Sequence, residues 1–130
     1  MAKNYRDIYE QELNIKLQPG IASIHHIDWN HNNSNIKNLV AIPQSLHDDL
    51  NIVISKFPTV LKRVLRSKCY WNIKLKTLKE LSSYVTVYEK LHEYISLKNV
   101  IKKYGLDTAL NIFDKNLIEE IIVLKKESIT

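Results

Sequence analysis

Ile24-His25-His26-Ile27-Asp28-Trp29-Asn30-His31-Asn32-Asn33-Ser34-Asn35-Ile36-Lys37-Asn38-Leu39 is the most informative stretch of this chain. Residues Ile21 to Ile27 place β-branched side chains around two adjacent histidines, the composition of a strand. Asp28 to Asn35 is dense in Asn. Asn and Asp tolerate left-handed backbone and bond their own main chain, so this segment predicts a loop. Leu39-Val40-Ala41-Ile42 predicts a second strand, which makes a hairpin with a long tip. Pro43 is expected to open a helix at its first turn, where a missing N–H is harmless. That helix runs to about Lys56, with Leu46, Leu50 and Ile54 on one stripe and Asp48 and Asp49 near its positive end.

Outward from this unit the pattern is helical. Upstream, Asn4 to Leu17 carries Tyr5, Ile8, Tyr9 and Leu13 at helical spacing, and Pro19-Gly20 marks a turn. Downstream, Phe57-Pro58 breaks the chain and Thr59 to Ser67 predicts a short helix. Cys69-Tyr70-Trp71 carries no clear pattern. A long helix is expected from about Ile73 to Tyr104, with Leu75, Leu78, Leu81, Val85, Tyr88, Leu91 and Ile95 at three- and four-residue steps. Gly105 is placed to end it. Asp107 and Asp114 are each placed to cap a following helix. A last helix, about Asp114 to Glu127, presents Leu117, Ile118, Ile121, Ile122 and Leu124. The expected fold class is α+β, mostly α: a hairpin-and-helix unit over 1–56, then a helical bundle or helical hairpin over 57–130.

The 130 residues are 45% hydrophobic and 25% charged, ordinary for one globular domain or a small domain with an extension. The single cysteine, Cys69, leaves no intramolecular disulfide and suits a reducing compartment. No apolar run approaches the roughly 20 residues that span a bilayer, and the N-terminus lacks an apolar signal core. An intracellular, cytoplasmic protein with no membrane partner is expected. The formal charge is +5, unevenly spread. Residues 1–56 hold five basic and six acidic side chains, whereas 57–130 hold fourteen basic and eight acidic. Lys56 to Lys79 contains eight basic residues, no acid, and both Tyr70 and Trp71. Such a block favours a polyanion, and Lys62, Arg63, Arg66 and Lys68 are the expected contacts to a nucleic-acid backbone.

Neighbouring side chains of a strand point to opposite faces, so His25 and His26 are expected to do different work. If His25 faces the helix after Pro43, it meets His47. His26 then faces outward, toward a bound substrate. Two imidazoles on two packed elements suit a divalent ion, and a third beside them suits proton abstraction from water.

The paired histidines, the Asn-Leu twelve residues after His26 and the helical His47 resemble the HNH endonucleases, also called ββα-metal or His-Me finger nucleases. The likeness covers about Pro19 to Asn51, a quarter of the chain. It implies a ββα-metal unit that hydrolyses DNA phosphodiester bonds, in a family common in phages and mobile elements. His26 is the general base that the resemblance implies, with Asn38 orienting it across the loop. His25 and His47 are the implied ligands of one divalent ion, with Asn51, one turn beyond His47, as a third. A His/His/Asn set without a carboxylate favours Mn²⁺, Ni²⁺ or Zn²⁺ over Mg²⁺. Trp29 stands where the family commonly has a small residue, and either stacks on a base or packs. Asp28 is expected to brace the loop, Asn30, Asn32 and Asn33 to serve turns, and His31 to sit at the loop tip. The competing expectation is a scaffold without catalysis that binds nucleic acid or inhibits a protein partner through its helical half. The long helix also offers a homodimer surface. A closed structural zinc module would need four ligands.

Overall fold

A computed structural model of the chain describes residues 4–56 and 85–124. The helix expected over 59–67, the basic block with Lys62, Arg63, Arg66 and Lys68, the 73–84 part of the long helix and residues 125–127 lie outside these.

Helices dominate the described residues, which surround a two-stranded antiparallel sheet. Helix α1 spans Tyr5–Leu13. Asn4 caps it by accepting the Asp7 N–H at 2.9 Å. It ends four residues before the expected Leu17, because Asn14 turns left-handed at φ 52°. The chain then folds back along the helix. The Glu10 carboxylate accepts the Leu17 N–H, and the Arg6 guanidinium donates to the carbonyls of Gln18 and Ala22.

Strand β1, Ala22–His26, pairs with β2, Leu39–Pro43, in a register that sets His26 against Leu39 and His25 against Val40. Two further bonds extend the ladder, Ile27 N–H to Asn38 O and Gln44 N–H to Ile21 O, each 2.8 Å. Antiparallel pairs alternate between bonded and non-bonded, so Pro43 opposite Ala22 falls at a non-bonded position. This corrects the expectation that Pro43 opens the helix. It ends the strand, where its missing N–H breaks no bond, and helix α2 starts at Gln44 and runs to Lys56.

Helix α3, Val85–Tyr104, packs against α1, α2 and β2. Tyr88, Leu91, Tyr94, Ile95, Leu97 and Ile101 are buried in the chain's own core. The apolar positions offered to a homodimer are, over this length, used internally. Gly105, at φ 93°, ends α3 by donating to Ile101 O. It also occupies the cap position of α4, Leu106–Ile112, leaving Asp107 in the first turn instead of at the cap. Asp114 caps α5, Lys115–Glu119, through the Asn116 N–H. The helix expected to reach Glu127 stops at Glu119. Ile121 and Ile122 leave it to pair with the segment after α1: Gln18 N–H to Ile121 O at 2.9 Å and Val123 N–H to Lys16 O at 2.8 Å. One apolar core includes Tyr9 and Leu13 of α1, both strands, Leu46 and Leu50 of α2, and Leu117, Ile118, Ile121 and Ile122. It runs through both expected regions, 1–56 and 57–130. No helix among the described residues is long and apolar enough to cross a membrane.

Candidate active site

The strand alternation separates the paired histidines. His25 shares a face with Ser23, Val40 and Ile42, on the side of α2. Its ring lies 5.9 Å from that of His47, at 74°. His26 shares a face with Ile24, Leu39 and Ala41, on the side of α1. Its ring lies 4.9 Å from Tyr5 and 4.8 Å from His31. The expectation that His26 faces open substrate space needs correction. Only 2% of it is exposed, because Tyr5 and His31 cover it, and both of those are themselves exposed. Neither ring nitrogen of His26 has a hydrogen-bond partner among the described residues.

The loop is a succession of short side-chain turns. Asp28 accepts the Asn30 N–H, Asn30 that of Asn32, Asn33 that of Asn35, and Asn35 that of Lys37. Asn38 closes it. Its Oδ1 accepts the Asp28 N–H at 2.9 Å, and its Nδ2 donates to the Asp28 carboxylate at 2.9 Å and to Asn33 O at 2.8 Å. Asn33 Nδ2 donates to the other Asp28 oxygen. The segment after His26 is thus tied directly to the start of β2. Trp29 sits edge-on to His25 at 4.8 Å, with its backbone at φ 63°, and packs against the core.

Burial favours the neutral form of His25, His26 and His47. Burial, and then the nearby His47, His26 and His31, push the His25 pKa down to about 3. Burial also lowers His26, with His31 adding to the effect and Asp28 opposing it. Burial lowers His47 against the pull of Asp48. For Asp28, burial works upward, but the hydrogen bonds from Asn33, Asn30 and Asn38 outweigh it and the net shift is downward. It therefore remains an anion at neutral pH.

The expected ligands stand close together. His47 Nδ1 and Asn51 Nδ2 are 3.4 Å apart, one helical turn from each other. An imidazole binds a divalent ion at about 2.1 Å, which puts its ring centre about 3.2 Å from the ion and limits two rings on one ion to about 6.4 Å between centres. The His25–His47 separation falls within that limit. The chemistry of two imidazoles with the Asn51 amide beside His47 is that of a divalent-ion donor set. No cluster of three or more His, Cys, Asp or Glu side chains able to hold a metal occurs among the described residues.

Two cationic groups near this site were not anticipated, Arg6 half-buried and Lys98 buried. Arg6 ties α1 to the start of β1. Lys98 of α3, only 3% exposed, donates to Ile36 O at 2.6 Å. Lys98 had a signal: it continues the stripe Leu91, Ile95, Ile101 at three- and four-residue steps, so a lysine stands where an apolar residue belongs. A cleft of about 520 Å³ opens elsewhere, lined by Ile21, Pro43, Leu46, Asp49, Lys90 and Glu119, and none of the histidines reaches it. Comparison of the chain with protein families, with curated proteins and with solved structures finds no match in any of them.

Proposed function

We propose that this chain is a metal-dependent endonuclease of the ββα-metal kind that hydrolyses DNA phosphodiester bonds. The observation that carries this reading is the division of the His25-His26 pair across one strand. His25 meets His47 on one face, while on the other neither ring nitrogen of His26 has a hydrogen-bond partner among the described residues. The order strand, loop, strand, helix and the Asn38 clamp on the loop support it.

A divalent ion held by His25, His47 and Asn51 would supply Lewis acidity at the scissile phosphate and its leaving oxygen. The chain's own groups do the rest. His26, neutral at working pH, accepts a proton from the attacking water at a ring nitrogen. Asn38 and Asp28 hold the backbone just after His26 and so fix its ring. Tyr5 and His31 must swing aside to admit the substrate, and both are exposed enough to do so. The basic block over 56–79 supplies phosphate contacts, with Lys62, Arg63, Arg66 and Lys68 as the candidates.

The test is nicking of supercoiled plasmid with Mg²⁺, Mn²⁺, Ni²⁺ or Zn²⁺, alongside His26→Ala. The expected result is metal-dependent nicking that falls by about 10² to 10⁴ in the variant, the usual loss of a general base. Folded protein that fails to nick with every one of these ions would overturn the enzyme and favour a role in binding DNA or a protein partner through the helical half.

A further inference from the structure

Lys98 is out of place energetically. It lies in the core on α3, with Ile36 O as its one hydrogen-bond acceptor and no carboxylate partner among the described residues. Burial and the neighbouring Lys102 push its pKa down to about 8. A buried cation without a counter-charge gives the fold little net stability, and an apolar side chain of similar length would fill the space at lower cost. What the amine does gain is a specific attachment across 62 residues of sequence.

The attachment point leads to the candidate site. Ile36 begins the short 3-10 turn Ile36–Asn38, and Ile36 O also accepts the N–H of Leu39, the first residue of β2. The same turn presents Asn38. Through its carbonyl Asn38 accepts the Ile27 N–H, and through its side chain it holds both the N–H and the carboxylate of Asp28. Ile27 and Asp28 are the two residues immediately after His26. We propose that Lys98 is a positioning residue for the histidine site: from within the core it holds the Ile36–Asn38 turn, and through Asn38 it fixes the backbone that aims His26. The link to catalysis rests on the reading of His26 as the base. The mechanical link does not.

The test is Lys98→Met, which keeps the stem and removes the donor. Amide hydrogen exchange at Ile27 and Asp28 is expected to quicken about fivefold or more, the effect of losing one hydrogen bond. Exchange at Leu50 of α2 should stay unchanged, and the His26 ring resonances should shift. In the nicking assay, kcat is expected to drop about tenfold or more, as for a slightly misplaced base, with KM for DNA held within about twofold. Lys98→Arg, which restores a charged donor, should recover the protection. Unchanged exchange at Ile27 and Asp28 would overturn the proposal. So would faster exchange with unmoved His26 resonances and unmoved kcat. If Lys98→Met does not fold, the unaltered protein decides: cross-relaxation between the Lys98 ε-methylene protons and the backbone protons of Ile36 and Lys37 is required, and its absence refutes the attachment. If the chain does not nick DNA at all, the proposed function fails while exchange and the His26 resonances still judge Lys98.

Discussion

One amide, that of Asn38, makes three hydrogen bonds within the loop, and its replacement separates two kinds of failure. Asn38→Ala leaves the Asp28 N–H and the Asn33 carbonyl without their partner and is expected to cost about 2–3 kcal/mol in urea unfolding. Asn38→Asp keeps an acceptor for the Asp28 N–H but sets a carboxylate against the Asp28 carboxylate. It should be less stable than Asn38→Ala at pH 7 and regain ground as the pH is lowered. His25 gives a pH signature of its own. Its folded pKa of about 3 lies below its ordinary value, so the unfolded chain binds the extra proton. The stability it contributes is complete above about pH 6.5 and is lost as pH falls toward 3, by up to about 1.4 kcal/mol per unit. In chelator-treated protein, melting curves from pH 8 to pH 4 should therefore fall more steeply for the wild type than for His25→Leu. His26 and His47 shift in the same direction, so the variant keeps part of the slope. Among individual residues, the opposite facing of His25 and His26 was legible, because strand alternation forces it. The cover over His26 was not, because Tyr5 and His31 reach it from elements whose packing no local pattern states.

Helix α1 acts on the site through its first residue. Tyr5 is 41% exposed yet lies edge-on to the His26 ring. Burial is the first cause of the depressed His26 pKa, so removing the cover should raise it. Ring-proton NMR titration of Tyr5→Ala is expected to move the His26 midpoint upward, toward the ordinary value near 6.5, while His25 stays low. An unmoved midpoint would show that α1 does not dry the ring. Helix α2 is seated by Leu46 and Leu50, both buried, and carries His47 and Asn51 beside that apolar stripe. Elements with a strong period were legible in the sequence: the two strands, α2 and the described part of α3. Their ends were harder to read. A helical period over Asn4 to Leu17 does not reveal that Asn14 will turn left-handed, nor that Leu17 is wanted against Ile122. Ile121 and Ile122 fit a helix face as well as they fit an extended pair, so the stop at Glu119 depended on a partner about a hundred residues away.

At the scale of the whole molecule, one core among the described residues joins the hairpin to α3 and to the segment after α5. Chains with one shared core unfold as one unit. In a Trp71→Phe background, Trp29 fluorescence reports the loop, and far-UV circular dichroism is dominated by the helices. Their urea midpoints should coincide, and separated midpoints would mean that the hairpin stands apart from the helices. The charge asymmetry that suggested two regions was legible in the sequence. The sharing of the core was not, because it depends on contacts such as Leu17 with Ile122 that only the folded chain makes. Those contacts also set an order of events during synthesis. Domains fold as the chain leaves the ribosome, N-terminal parts first. Here the four site histidines are made before α3, which packs on β2 and brings Leu91 and Leu97 to the shared core. A nascent chain halted before α3 holds every histidine of the site, with α1 and α2 beside them, but lacks the helix that packs on β2, so the site is completed only after α3 has been made.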